Sequence, residues 1–126
     1  MQTPDILVVD DDDLLRKSLT DSLAEAGFKV IDAAGGKAGL ASALEHHPKL
    51  ILLDYQMPDM NGAEVLTELR NDDWGKTVEV VIATNIYDVE VVNAVLQQNV
   101  HDYVLKADVS LDQIVELAKK YVTPQS

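Results

Sequence analysis

Ile6-Leu7-Val8-Val9-Asp10-Asp11-Asp12-Asp13 joins a continuous apolar run directly to four consecutive aspartates. A second apolar run, Leu50-Ile51-Leu52-Leu53, is followed in the same way by a single aspartate, Asp54. If both runs are parallel strands, their carboxyl ends lie at one edge of a sheet, together with the aspartates that follow them. Clustered carboxylates repel one another unless a cation lies among them. A site of oxygen ligands favours a hard ion such as Mg²⁺.

The rest of the chain repeats an alternation of apolar runs and amphipathic segments. Several of the runs are continuously apolar, which is typical of strands buried on both faces. The segments between them carry apolar residues at helical spacing, as at Leu15, Leu19 and Leu23. This alternation predicts a single α/β domain over residues 1–126, with a core of about 4–122, in which helices cover both faces of a parallel sheet. The predicted strands are residues 6–9, 28–33, 50–53, 78–83 and 103–105.

Local signals predict how several helices begin and end. Asp12 or Asp13 stands where the first helix needs an N-cap, and Ser110 with Gln113 reads as a capping box for the last helix. Asn99 can take the left-handed conformation that ends a helix.

The composition restricts the function classes that are open to the chain. It has 22 acidic and 10 basic residues, a net charge of −12, and this field repels nucleic acid and anionic lipid. The chain has no cysteine, which excludes disulfides and thiolate chemistry and fits a reducing cytosol. No apolar stretch approaches the roughly 20 residues that span a bilayer, and the N-terminus lacks the basic start of a signal peptide. We therefore expect a cytoplasmic protein that binds neither DNA nor membranes.

Polar residues follow four of the five predicted strands. They are Asp10 and Asp11, Asp54, Thr84, and Lys106. Phosphoryl transfer needs an in-line nucleophile and neutralisation of the phosphoryl oxygens. An aspartate can be that nucleophile and form an acyl phosphate, while a divalent ion, an ammonium and a hydroxyl offset the charge. Each residue alone also has a structural interpretation as a cap, a turn residue or a solvated side chain. Their joint placement therefore carries the prediction of a phosphate-plus-metal site.

The order and spacing of these residues match a known pattern. It has an acidic pair after strand one, D-x-x-M-P-x-M-x-G after strand three, a Ser/Thr after strand four and a Lys after strand five. Here the pattern reads Asp10-Asp11, then Asp54-Tyr55-Gln56-Met57-Pro58-Asp59-Met60-Asn61-Gly62, then Thr84, then Lys106. Over essentially its whole length the chain resembles the receiver domain of two-component response regulators, the CheY-like family. The resemblance implies a doubly wound, flavodoxin-like fold, a five-stranded parallel sheet of order 2-1-3-4-5 flanked by five helices.

The resemblance also implies a role for each site residue. Asp54 accepts a phosphoryl group from a phosphohistidine on a histidine kinase or a phosphotransfer protein. Asp11, Asp54 and the backbone carbonyl of Gln56 ligate Mg²⁺, and Asp10 acts through a metal-bound water. Lys106 contacts the phosphoryl oxygens. Such a domain promotes its own phosphorylation and dephosphorylation and is not a turnover enzyme.

A conformational switch is implied as well. On phosphorylation Thr84 moves toward the phosphate and Tyr103 turns inward, which biases the face built from helix four, strand five and helix five toward its active form. The phosphate then acts as a ligand that shifts an existing two-state equilibrium. The family often dimerises through this face, and the sequence leaves open whether this chain forms a phosphorylation-dependent homodimer. No output domain follows in the sequence, so we expect the effect to pass through another protein, which the sequence does not identify, or through a domain outside this sequence.

The chain departs from the family pattern at three positions near the site. Lys106 is usually followed by proline, often through a cis bond, but here Ala107 follows, and we predict a trans peptide. The residue after the threonine is usually small, and here it is Asn85. The next residue, Ile86, cannot orient a water by hydrogen bonding, so we hypothesise slow self-dephosphorylation.

Two other functions are weighed against the switch. Asp10 and Asp12 satisfy a D-x-D pattern, which suggests a small phosphatase with Asp10 as the nucleophile and Asp12 as the acid-base. The chain is short for that fold, and this interpretation leaves the motif that begins at Asp54 unexplained. The other alternative is a degenerate receiver that takes no phosphate and serves only as an interaction module. Its acidic, threonine and lysine positions are all retained, which favours the switch.

Overall fold

The computed structural model describes residues 3–124, and within them five strands alternate with five α-helices. All strand pairs are parallel, and the order across the sheet is β2-β1-β3-β4-β5, which confirms the predicted doubly wound fold. A short 3₁₀ turn, Lys106–Asp108, follows the last strand. The elements are β1 (Ile6–Val9), α1 (Asp13–Glu25), β2 (Val30–Ala33), α2 (Gly36–His46), β3 (Leu50–Leu53), α3 (Gly62–Arg70), β4 (Glu79–Thr84), α4 (Val89–Leu96), β5 (Asp102–Leu105) and α5 (Leu111–Tyr121).

The sheet separates two apolar cores, because successive residues of a strand point to opposite faces. Leu7 and Val9 of β1 pack in one core, whereas Ile6 and Val8 pack in the other. The first core also takes in residues of α2, α3 and α4, and the second takes in residues of α1 and α5. Both faces are therefore covered, which explains why the inner strands are continuously apolar.

The strand register brings the ends of the central strands level with one another. Val9 of β1 pairs with Leu53 of β3, so the residues that follow, Asp10 and Asp54, emerge side by side. Leu53 pairs with Ile82 of β4, which leaves that strand two residues longer at this edge and ends it at Thr84. The register therefore gathers the predicted site residues at the carboxyl edge of the sheet.

Most predicted helix ends are confirmed. Asp12 caps α1, because its Oδ1 accepts the Leu15 N–H at 3.1 Å. Ser110 and Gln113 form the predicted capping box of α5. Asn99 has a φ of 60° and so lies in the left-handed region after α4. None of the helices within residues 3–124 is long and apolar enough to cross a membrane.

Three predicted strands had limits that were wrong by one or two residues. β2 begins at Val30 rather than at Phe28, because the Phe28 N–H bonds to the Leu23 carbonyl at 3.2 Å and closes the turn after α1. Phe28 is buried in the core from a turn and not from a strand. β4 runs one residue later than predicted, and β5 begins one residue earlier, at Asp102.

Candidate functional site

Three carboxylates meet where β1 and β3 end. Asp10, Asp11 and Asp54 each offer one oxygen, and these oxygens all lie within 4.8 Å of one another. Asp10 is 2% exposed and Asp54 is 6% exposed, whereas Asp11 is open to solvent. An all-oxygen donor set with one exposed member is chemically suited to a hard divalent cation, and Mg²⁺ prefers few protein carboxylates together with water.

Lys106 reaches this acidic group from the end of β5. Its Nζ donates to Asp10 Oδ2 at 2.6 Å and to Asp54 Oδ2 at 3.1 Å. Its side chain is only 12% exposed, and both carboxylates are nearly buried. The ammonium therefore offsets the charge of two carboxylates from two different strands.

Burial and pairing have opposite effects on the charged groups of this site. Burial raises the pKa of Asp10, and this outweighs the opposing effects of the Lys106 ammonium and of the Asp12 N–H, which donates to Asp10 Oδ1 at 2.9 Å. Burial also works against the charge of Lys106. The hydrogen bond to Asp10 and the attraction of Asp54 exceed that effect, however, and raise the pKa of Lys106. Lys106 is therefore a firmly held cation at neutral pH.

Thr84 and Tyr103 approach the same edge from β4 and β5. Thr84 is buried, and its Oγ1 accepts the Ile86 N–H at 3.4 Å, so its own hydroxyl proton is available for another acceptor. The Tyr103 hydroxyl donates to the Ile86 carbonyl at 2.6 Å. Burial raises the pKa of Tyr103, which keeps the phenol protonated as this bond requires. The Lys106–Ala107 peptide is trans, as predicted.

A cavity of about 510 Å³ opens above these groups. Its lining includes Asp11, Asp54, Gln56, Thr84 and Lys106. The structure thus brings together every residue that the sequence analysis selected for chemistry, with Asp10 directly beneath Lys106. This arrangement can hold a cation beside an anionic group and supplies a carboxylate nucleophile, an ammonium and a hydroxyl around it.

Arg16 supports the site from α1, and the sequence analysis missed it. Its Nη1 donates to the Asp10 carbonyl at 2.9 Å, its Nε lies 3.0 Å from Asp32 Oδ2, and its Nη2 lies 2.8 Å from Asp13 Oδ1. Arg16 thus connects two parts of the structure. One is the β1–α1 loop, which carries the acidic pair, and the other is Asp32 near the end of β2. An arginine one helical turn after an acidic run was the only signal for it in the sequence.

Asp59 is a second supporting residue that the sequence did not reveal. Its Oδ1 accepts the Gly36 N–H and its Oδ2 accepts the Lys37 N–H, both at 3.1 Å, so it caps α2 from the β3–α3 loop. These two bonds lower the pKa of Asp59. The helix has Gly35 as its own N-cap and lacks a side-chain acceptor there. A Cβ on Gly36 would lie 2.2 Å from the Met60 carbonyl oxygen, so this close approach requires glycine.

The histidines and the tryptophan lie outside the site. His47 ends α2 in the left-handed conformation and stacks on Trp74, with ring centroids 4.4 Å apart. His101 Nδ1 accepts the Val80 N–H at 3.2 Å, and His46 pairs with Glu45 at 2.8 Å. The contacts of these residues are therefore structural.

Known proteins are similar to this chain in sequence and in fold. A family model described as "Response regulator receiver domain" matches residues 6–119. The polar-differentiation response regulator DivK of Brucella ovis is 29% identical over 120 residues, which cover 95% of this chain and 97% of DivK. The regulatory protein AtoC of Escherichia coli is 31% identical over 121 residues, 96% of this chain but only 26% of AtoC.

A solved structure extends the likeness to three dimensions. A response regulator receiver domain protein (CheY-like) from Methanospirillum hungatei matches with a TM-score of 0.86 and 27% identity, covering 94% of this chain and 93% of that one. The matched family region runs from the start of β1 to within two residues of the end of α5 and contains every residue of the site. The chain therefore belongs to the family of response regulator receiver domains.

Proposed function

We propose that the chain is a phosphorylation-controlled signalling switch of a two-component system, in which Asp54 is the phosphoryl acceptor. The observation that carries this proposal is the cavity shared by Asp54, Lys106 and Thr84, which come from three different strand ends. Asp54 is nearly buried and yet lines this cavity, so its carboxylate is accessible only from the side where Asp11 and Lys106 lie. The proposed donor is a phosphohistidine on a histidine kinase or a phosphotransfer protein, and we expect both partners in the cytoplasm.

The proposed reaction uses groups that already lie at the site. A carboxylate oxygen of Asp54 attacks the phosphorus, the bond from phosphorus to the donor imidazole breaks, and an acyl phosphate forms on Asp54. Lys106 moves from its bonds with the two carboxylates to a phosphoryl oxygen. The Thr84 hydroxyl donates to another phosphoryl oxygen, since its own oxygen is already engaged as an acceptor by Ile86.

The donor set also supports the assignment of a Mg²⁺ site. We propose Asp11, Asp54 and the Gln56 backbone carbonyl as direct ligands and Asp10 as a ligand through water. When bound, the ion would neutralise the acidic group and the incoming phosphoryl group. The burial of Asp10 under Lys106 agrees with an indirect role, because its Oδ1 and Oδ2 already accept hydrogen bonds from Asp12 and Lys106.

The proposed output surface is the face formed by α4, β5 and α5. Its helix α4 exposes Val89 and Leu96, and Tyr87 is exposed just before it. On the other side of β5, an apolar groove of about 430 Å³ lies between that strand and α5. Exposed apolar surface of this kind suits a protein partner. Val95 of the same helix is fully buried and contributes nothing to that surface.

The phosphatase alternative receives less support from the contacts. It requires Asp12 as an acid-base, but the Asp12 carboxylate caps α1 through the Leu15 N–H. It also requires Asp10 as the nucleophile, although that carboxylate is 2% exposed and lies beneath Lys106. Asp54, unlike Asp10, lines the cavity. We therefore infer a switch that modifies itself and not an enzyme with turnover.

The proposal is tested with Mg²⁺, acetyl phosphate and intact mass spectrometry. We expect wild type to gain one phosphoryl group, Asp54→Asn to gain none, and Asp10→Asn to gain one at a reduced rate. Asp73→Asn serves as the matched control, because the Asp73 side chain is fully exposed. Steady hydrolysis of the donor that is lost in Asp10→Asn but retained in Asp54→Asn would establish the phosphatase instead. If wild type forms no adduct and hydrolyses no donor, the degenerate interaction module is the remaining interpretation.

A further inference from the structure

Two departures from the family pattern meet in a single hydrogen bond. Asn85 follows Thr84, and Ala107 follows Lys106, 22 residues further along the chain from Asn85. The Ala107 N–H donates to Asn85 Oδ1 at 3.0 Å. A proline after Lys106 would have no N–H to donate, and a small residue after Thr84 would have no acceptor to offer. The bond therefore requires both departures, a side-chain acceptor at Asn85 and a backbone N–H at Ala107.

This bond joins the two loops that carry the groups facing the cavity. One loop begins at Thr84 and leads into α4, and the other begins at Lys106 and leads into α5. The next residue of the first loop, Ile86, is bound through its carbonyl to the Tyr103 hydroxyl at 2.6 Å. The β4–α4 loop is thus tied to the β5 side at two consecutive residues, by a side-chain amide and by a phenol.

The Asn85–Ala107 bond and the Ile86–Tyr103 bond both require the β4–α4 loop to lie close to β5. If the β4–α4 loop moved away from β5, the Asn85 acceptor would leave Ala107 and the Ile86 carbonyl would leave Tyr103. A contact that is made in only one of two arrangements shifts the equilibrium toward that arrangement. Asn85 therefore favours the arrangement in which Tyr103 is bound to the loop and Thr84 lines the same cavity as Lys106.

We propose that Asn85 is a positioning residue which, through Ala107, raises the population of the phosphoryl-accepting arrangement before any phosphate is present. This inference rests on the proposed function, because it concerns the readiness of the same site. A single neutral hydrogen bond near the surface changes such an equilibrium by roughly three- to tenfold. The effect would be seen in the rate of phosphorylation by a small donor, which reacts in proportion to the competent population.

A double-mutant cycle tests this inference. The variants are Asn85→Leu, which keeps a side chain of similar size without the acceptor, Ala107→Pro, which removes the donor, and the double variant. Asn93→Ala on α4, which changes an exposed side chain, is the control. With acetyl phosphate and Mg²⁺, we expect each single variant to form the adduct roughly three- to tenfold more slowly, the double variant to be no slower than the singles, and the control to match wild type.

A second measurement needs no phosphoryl transfer. In ¹H–¹⁵N spectra without donor, the Ile86 amide should shift in the same direction in Asn85→Leu and in Ala107→Pro, with melting temperatures close to that of wild type. Wild-type rates in both single variants, faster rates, or effects that multiply in the double variant would overturn the inference. If wild type itself forms no adduct, the proposed function fails. The chemical shift of the Ile86 amide then tests the inference on its own. Shifts in opposite directions, or no shifts, would show that the Asn85–Ala107 hydrogen bond does not position the loop.

Discussion

The two ends of α4 are held by very different contacts. Beyond its C-terminal end, the Arg70 guanidinium is inserted between the α3–β4 loop and the α4–β5 loop and donates to four backbone carbonyls. The distances are 2.8 Å to Gln98 and to Gly75, and 2.9 Å to Val78 and to Asn99. Burial lowers the pKa of Arg70. The C-terminal end of α4 is therefore fixed to the end of α3 and to the α3–β4 loop.

The N-terminal end of α4 has far fewer contacts. It is joined to the body through Asn85 and Ile86, whose bonds to Ala107 and Tyr103 are described above. Tyr87 is 73% exposed, and Asp88 caps the helix only within its own first turn, with its Oδ1 2.9 Å from the Glu90 nitrogen.

This difference indicates how a small change at the proposed phosphorylation site could reach a distant face. A helix that is fixed at one end and lightly held at the other can pivot about its fixed end, and such two-state elements are the usual carriers of switching. The lightly held end is connected to Thr84, and the fixed end is not.

Loss of Arg70 should have the largest effect. Arg70→Ala leaves three partly buried carbonyls and one exposed carbonyl without their donor, so we expect the free energy of unfolding to fall by about 3 kcal/mol. Urea denaturation measures this loss. Lys76→Ala is the control, because Lys76 lies in the same loop and is 59% exposed. A loss below about 0.5 kcal/mol in Arg70→Ala, comparable with most surface changes, would show that the C-terminal end is not fixed in this way.

Ile86→Glu should change the rate at which the phosphoryl group is lost without changing the free energy of unfolding. A carboxylate two residues after Thr84 can orient a water for attack on the acyl phosphate, which the Ile86 side chain cannot do. We expect the phosphoryl group to be lost about tenfold faster, a change of about 1.4 kcal/mol in the barrier. The measurement is the decay of the adduct by intact mass, with Ile86→Met as the apolar control. Equal lifetimes in wild type and Ile86→Glu would contradict the hypothesis of slow self-dephosphorylation.

The features of the fold and of the site that the sequence predicted are those that depend on local sequence pattern. The β–α alternation predicts the parallel sheet, and the strand-end residues Asp10, Asp54 and Lys106 predict the site, because parallel strands end at one edge. Caps such as Asp12 and Ser110 were also predicted, since their partners lie three residues away.

The sequence could not reveal the contacts that cross from one loop to another. Arg70 meets Gln98 and Asn99 across 28 and 29 residues, and Asp59 caps α2 from 23 residues away. These pairings depend on the exact approach of two loops, and no periodicity encodes that approach. Asn85 and Ala107 illustrate the limit well, because each was recognised as a departure but not as the partner of the other.

Tyr103→Phe should weaken the N-terminal end moderately. The change removes one hydrogen bond, to the Ile86 carbonyl, and keeps the ring, so we expect the free energy of unfolding to fall by about 1 kcal/mol. The rate of phosphorylation should fall at the same time, because the β4–α4 loop loses one of its two ties. Tyr87→Phe, at an exposed tyrosine one residue after Ile86, is the matched control and should change neither quantity. A lower free energy of unfolding with an unchanged rate of phosphorylation would show that the β4–α4 loop does not take part in the switch.

Thr67→Val should have the smallest effect and gives the sharpest test of the contrast. The Thr67 Oγ1 accepts the Gln98 Nε2 at 2.8 Å, a side-chain bond beside the backbone contacts of Arg70. Because this site is exposed, we expect the free energy of unfolding to fall by about 0.5 kcal/mol, with no change in the rate of phosphorylation. If Arg70 and Thr67 hold Gln98 jointly, the effects of their substitutions on the free energy of unfolding should not add, since residues in one network couple. The loss caused by Thr67→Val in the Arg70→Ala background should then differ from its loss in wild type by about 0.5 kcal/mol. Strict additivity would mean that Arg70 and Thr67 hold the end of α4 independently, and an altered phosphorylation rate would mean that the C-terminal end is part of the moving element.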